Sequence, residues 1–173
     1  ISISQKEIEK RFTFSNMDVY YELEKKNKSI ALMCAHYASY EWVISMNYYI
    51  HCKGFGIYKK LSNPYFDKLV KRIRSKFKAE LITTKQTIPT IAENHKNHVL
   101  GLYGFASDQS PKANAAYHWA PFMGHIVPVH IGAEMLAKRF DMNVIFLKVK
   151  KVKRGYYEAS FEILSEDVKS VPN

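Results

Sequence analysis

Long apolar runs are missing from this chain. No stretch approaches the roughly 20 consecutive apolar residues a membrane-spanning helix needs, and no secretory signal opens the sequence. Cysteine is nearly absent. Cys34 and Cys52 both sit in apolar-periodic segments, which points to buried thiols in a reducing compartment and not to a disulfide. No Cys/His cluster has zinc-ligand spacing, so no metal site is expected; His95/His98 and His125/His130 read as structural or surface pairs. Internal repeats, low-complexity tracts and linkers are also missing, so residues 1–173 read as a single domain large enough for a sizeable core. Acidic residues are scarce: 16 against 26 Lys and Arg leave a net charge of +10. That excess suits an acidic partner, either nucleic acid, an anionic membrane, or an acidic protein or phosphorylated substrate.

What is present is a globular composition, 47% hydrophobic and 24% charged, arranged around residues 28–52. Ser29 to Cys34 is a short, nearly continuous apolar run, as in a strand buried on both faces. Beyond Ala38 the residues Trp42, Val43, Met46, Tyr49 and Ile50 recur at the spacing of one helical face. His36 falls on the turn between strand and helix, and Glu41 in the first helical turn. Residues five apart on a continuous helix point in different directions, but a turn can bring the carboxylate back to the imidazole. A histidine so held is an oriented general base. The bare His-x4-acid spacing is close to what chance supplies in this composition; the strand-turn-helix context gives it weight. A core histidine bonded to a neighbouring carboxylate fits the run equally well.

Elsewhere, residues 3–27 read as helical with a break at 12–16, and Ser15 with Asp18 reads as a capping box opening a helix over 17–26. Gly54-Phe-Gly56 reads as a turn. Asn63-Pro64 opens a helix as Ncap and N1 residues do, with Leu69, Val70, Ile73 and Phe77 as its apolar stripe and Arg74 at the border. Six basic residues and no acidic one lie between Lys68 and Lys78. His98 to Ala106 reads as a second buried strand, ending at the polar cluster Ser107-Asp108-Gln109-Ser110-Pro111, then a long loop to Phe122-Met123-Gly124. Strand ends of this kind can bring His36 and Asp108 into one crevice. A helix over 132–140, a strand over 143–152, a turn at Arg154-Gly155 and an alternating strand after it complete the chain.

Taken together, His36-x4-Glu41, Arg74 in a basic helix, Asp108-Gln109, Pro121-Phe122-Met123-Gly124 and the helix Gly-Ala-Glu-Met-Leu-Ala resemble the late acyltransferases of lipid A biosynthesis, within the lysophospholipid acyltransferase superfamily. The resemblance covers about residues 27–166. It implies an α/β fold with a mixed, mostly parallel sheet flanked by helices, like that of the glycerolphosphate acyltransferases. It implies transfer of a fatty acyl chain to a hydroxyl of a lipid A precursor or related lipid, from an acyl carrier protein thioester or acyl-CoA and without a cofactor. His36 would be the general base oriented by Glu41, and Arg74, Asp108 and Gln109 would bind substrate. It also implies work on the anionic cytoplasmic face of the bacterial inner membrane, peripherally or through an anchoring segment absent here. The chain begins with Ile1, so a segment of a longer, membrane-anchored protein is expected.

One departure stands out. The family usually shows Gly-Asn-Trp between the His and the Glu, where this chain has Ala38-Ser39-Tyr40. The catalytic pair is intact, but the acceptor is opened to an aminolipid or another lysophospholipid. The rival of another class is a non-catalytic basic module binding nucleic acid. Its support is the charge and the 14% aromatic content; against it, the aromatics fall at core periodicities and no stacking motif is present, so nucleic acid is not expected as a partner. A basic rim around an apolar cleft beside His36 would favour the lipid enzyme.

Overall fold

The computed structural model describes residues 3–172. Its centre is a seven-stranded sheet in the order β1-β9-β8-β2-β5-β3-β4. The strands are β1 (Phe12–Phe14), β2 (Ile30–Cys34), β3 (Lys53–Tyr58), β4 (Glu80–Thr83), β5 (Gly101–Ala106), β8 (Asn143–Lys153) and β9 (Tyr156–Ser165). All neighbours run parallel except the β8–β9 hairpin, which turns at Gly155 with φ +76°. A mixed, mostly parallel sheet flanked by helices is the architecture the sequence led us to expect.

The apolar run of β2 is central because both of its faces are buried. Ile30 and Leu32 pack toward α1 (Gln5–Arg11), α2 (Met17–Glu24) and a 3-10 segment, Tyr40–Tyr48. Ala31 and Met33 pack on the other side, toward α4 (Thr87–Lys96) and α5 (Gly132–Arg139). Alternation of side chains along the strand divides the core into these two layers.

The chain leaves β2 rightward past β5 to reach β3, and leaves β5 leftward past β2 to reach β8. Neighbouring parallel strands whose connections depart in opposite directions define a topological switch point, and a crevice opens beyond their carboxyl ends. Here that crevice lies between the ends of β2 and β5.

Several local expectations are corrected. Residues 12–14 are an edge strand on β9 and not only a helix break. Ser15 does not cap α2: its hydroxyl donates to the Ala159 carbonyl, and the Asn16 amide ties to both the N–H and C=O of Phe161, so strand pairing claims the groups a capping box would use. Gly54 and Gly56 lie inside β3. The side chain of Asn47 occupies the space a Cβ on Gly54 would need, and Leu81 Cδ2 lies 3.0 Å from one on Gly56. Glycine is favoured there by close approach, most strongly at Gly54, and not by a turn. The expected helix after Ala38 is 3-10 in form, unusually long for that type. Asn63 caps α3 (Pro64–Arg74) as expected, accepting from the N–H groups of Tyr65 and Phe66 at 3.0 and 3.3 Å. The stripe on α3 is seated less deeply than its pattern suggests: Leu69 is exposed, Val70 and Ile73 are half-buried, and Phe77 reaches the core from the following turn.

Candidate active site

The parallel register pairs Cys34 with Ala106, the last residues of β2 and β5. Two residues further along each chain stand His36 and Asp108. The register alone therefore brings them opposite one another. The His36 ring Nδ1 lies 2.7 Å from Asp108 Oδ1, and the His36 backbone N–H donates to Oδ2 at 2.9 Å. Burial pushes the Asp108 carboxyl up, but its bonds to the His36 ring and to backbone N–H groups outweigh this and hold it below the usual carboxylate range. A carboxylate accepting at Nδ1 fixes the tautomer with its proton there, which leaves Nε2 as a base. Tyr40 lies edge-on to the ring with centroids 4.8 Å apart, so the imidazole is held from a second side.

Glu41 does not take the place expected of it. Among the described residues no hydrogen bond joins Glu41 to the His36 ring; instead Arg74 forms a two-pronged pair with it, Nε to Oε2 at 2.8 Å and Nη2 to Oε1 at 2.6 Å. The physical reason is the tight 3-10 turn opened by the Trp42 N–H bonding to the Ser39 carbonyl at 2.8 Å, after which Glu41 faces the end of α3. The Arg74 guanidinium holds the Glu41 carboxyl below its ordinary value against opposing burial, and Glu41 in turn raises Arg74. The expectation that Glu41 orients His36 is therefore corrected: the carboxylate on the ring belongs to Asp108.

Around these pairs opens a cleft of about 1020 Å³. One wall is the sheet, where Gly54, Gly56 and Gly104 keep the floor low beneath Ile44, Val70 and Leu81. Leu32, Val43, Met46 and Leu102 add apolar surface, and Lys59, Arg74, Lys112 and His130 bring basic groups to the lining. Cys34 lies in the lining too, but burial and the nearby Asp108 charge push its thiol up to about 11, so it is protonated and a poor nucleophile at neutral pH. An apolar slot with basic groups, beside an oriented histidine, is the arrangement set out above as favouring a lipid enzyme over a nucleic-acid module. Among the described residues no group of His, Cys, Asp and Glu is placed to hold a metal ion.

The pattern of one protein family, bacterial lipid A biosynthesis acyltransferase, matches residues 1–166. The chain belongs to that family. It is therefore an acyltransferase, and the fold and motif order that suggested the family agree with the match. No curated protein matches the chain. No helix among the described residues of this acyltransferase is long and apolar enough to cross a membrane.

Of the residues singled out from sequence, the structure brings all five to the same cleft. His36, Glu41, Arg74 and Gln109 line it, and Asp108 holds His36 at its edge. Gln109 is exposed. Two roles were not legible: Asp108 as the partner of the histidine, and Tyr40 as its aromatic support. The available signal for the first was symmetry, since His36 and Asp108 each stand two residues beyond the end of an apolar strand.

Proposed function

We propose that this acyltransferase moves a fatty acyl group from a thioester, on acyl carrier protein or coenzyme A, to a hydroxyl of a lipid A precursor. The observation that carries the reading is the His36–Asp108 pair at the mouth of an apolar cleft. His36 Nε2 takes the proton of the acceptor hydroxyl as its oxygen attacks the thioester carbonyl carbon. The tetrahedral intermediate collapses with cleavage of the C–S bond, the ester forms, and the departing thiolate takes the proton back from His36. Asp108 stabilises the imidazolium during that interval. No covalent enzyme intermediate is needed.

The Glu41–Arg74 pair is a positioning device. Two of the five guanidinium N–H groups are spent on Glu41, and the Tyr40 hydroxyl also interacts with the guanidinium, so Arg74 is held at the cleft as a fixed cation suited to a phosphate or a developing oxyanion. The acyl chain occupies the apolar part of the cleft, lined by Leu32, Val43, Ile44, Val70 and Leu81, where each buried CH₂ is worth about 0.8 kcal/mol. On this reading the reaction runs at the cytoplasmic face of the inner membrane, since acyl carrier protein and coenzyme A thioesters are cytoplasmic donors and the acceptor is a lipid. Mass spectrometry of lipids after incubating the protein with an acyl thioester and a lipid A precursor tests the proposal. An added acyl mass that requires His36 supports it; no product with either donor overturns it. Tyr40, in place of the family's usual Trp, touches His36 and favours a second reading in which the acceptor is an aminolipid or another lysolipid. Offering those acceptors in the same assay separates the two.

A further inference from the structure

The expected loop from Pro111 to Phe122-Met123-Gly124 ends in a strand, β6 (His118–Phe122), which pairs with β7 (His125–Val129) in a two-stranded sheet separate from the main one. Its turn is Met123-Gly124, with φ +49° and +80°, a tight two-residue reversal. The tip is apolar on both faces and turned to solvent: Met123 is 84% exposed, Phe122 64% and Ile126 66%, with Trp119 and Tyr117 exposed nearer the base. Soluble surfaces rarely gather large apolar side chains this way without a partner.

The charge around the hairpin indicates which partner. No Asp or Glu lies between Asp108 and Glu134, whereas Lys112, His118, His125 and His130 do. His130, directly after the hairpin, and Lys112, six residues before it, also line the cleft that holds His36. The hairpin therefore stands at the mouth of the site, on the side from which a lipid would enter. Phe and Met at a tip with Trp and Tyr behind it match the gradient of a bilayer, apolar acyl region first and headgroup level next. Basic flanks without carboxylates match anionic headgroups.

We propose that the β6–β7 hairpin is a membrane-docking wedge: its tip enters the acyl region of an anionic bilayer and sets the His36 cleft at the headgroup level. The two prolines, Pro121 and Pro128, fit this role. They remove backbone donors from an isolated ribbon whose edges would otherwise invite strand pairing.

The test uses the full chain and vesicles of phosphatidylethanolamine with phosphatidylglycerol, against vesicles of phosphatidylcholine alone. Sedimentation should show binding to the anionic vesicles, and brominated acyl chains should quench Trp119 in a Trp42→Phe background. The double change Phe122→Ser with Met123→Ser should weaken binding about tenfold or more, since it removes both large apolar side chains of the tip from the acyl region. Those side chains are exposed, so the fold should persist, which a melting curve checks. Vesicle binding unchanged by the double variant overturns the proposal, as does an unquenched Trp119. A concentration-dependent dimer that the double variant abolishes, without vesicle binding, overturns it in favour of contact between copies. Failure here is distinguishable from failure of the acyltransferase mechanism. His36→Ala should bind vesicles normally but lose turnover, whereas the tip variant should keep turnover on detergent-dispersed lipid and lose it on vesicles.

Discussion

Among the described residues, two histidine–carboxylate pairs have nearly the same local geometry. His36 Nδ1 lies 2.7 Å from Asp108, and His51 Nδ1 lies 2.7 Å from Glu24; in each case the histidine's own backbone N–H donates to the second oxygen, at 2.9 and 3.0 Å. Their surroundings differ. The His36 side chain is 33% exposed, stands beyond the carboxyl ends of β2 and β5, and lines the cleft. The His51 side chain is 78% exposed at the entry to β3 and lies outside the lining of that cleft, while Glu24 also accepts from the Cys52 N–H and the Tyr20 hydroxyl. One pair is positioned to act on a ligand, and the other ties α2 to the start of β3. A histidine–carboxylate bond therefore does not make a site. Its place in the topology and the cavity beside it do.

That contrast is broken most directly at His36. His36→Ala should lower kcat by about 10²–10⁴, the usual range for a general base, with the melting temperature nearly unchanged. His51→Ala should leave kcat within about twofold. Comparable losses from both would erase the distinction between the pairs.

Next in size are the two carboxylates near His36. Asp108→Asn keeps the shape but disfavours the tautomer with Nδ1–H, and a loss of about 10²-fold in kcat is expected, by analogy with carboxylates that orient catalytic histidines. Glu41→Gln weakens its hold on Arg74 without touching the ring, and roughly tenfold is expected. Arg74→Lys should match Glu41→Gln, because an ammonium cannot reproduce the two-pronged pair. Steady-state assays of the three variants check the ranking; a larger loss at Glu41 than at Asp108 would return the orienting role to Glu41.

Glu24 should show the converse behaviour. It accepts bonds from the N–H groups of His51 and Cys52, the His51 ring and the Tyr20 hydroxyl, and its side chain is well buried. Burial raises its pKa, but those bonds outweigh it and the folded value lies below the ordinary one. For a depressed carboxylate the stabilisation is full above the unfolded pKa and is lost as pH falls through the folded one. Glu24→Gln should therefore cost about 1–3 kcal/mol at neutral pH, with the difference from wild type shrinking in acid below about pH 4.5. Thermal melts across pH measure this, and kcat should not move. A constant difference at all pH values would mean that the charge of Glu24 contributes nothing.

The two strands that build the site were legible because β2 and β5 are nearly continuous apolar runs, and both end where the polar residues begin. The partner of His36 was harder to see. Contact between residues 36 and 108 depends on β5 lying beside β2, and nothing local in either run records which strands become neighbours. Glu41 looked better because it is close in sequence; the 3-10 turn then carried it to Arg74. The hairpin was hidden for a different reason. Pro121 and Pro128 argue against a strand inside a large sheet, but a two-stranded ribbon has only edges and tolerates both. Gly54 and Gly56 misled in the opposite direction, since close packing by Asn47 and Leu81 also favours a residue without a Cβ.

The smallest expected effect concerns the backbone between His36 and Glu41. Ala38 has φ +54°, in the left-handed region where a Cβ costs about 1–2 kcal/mol, and the segment carrying His51 has no such residue. Glycine accepts that conformation but gives up about 0.5–1 kcal/mol to the entropy of a freer unfolded chain. The balance predicts that Ala38→Gly stabilises the protein by about 0.5–1 kcal/mol, a rise of roughly 2–3 °C in Tm at this size. The position of His36 is fixed by Asp108 and Tyr40 and not by Ala38, so kcat should stay within about twofold. A fall in Tm would mean that residue 38 leaves the left-handed region in solution. A rise in Tm with a large loss of kcat would mean that the strain itself holds the imidazole, as backbone strain at functional sites can, and would give the His36 turn a constraint that the His51 pair lacks.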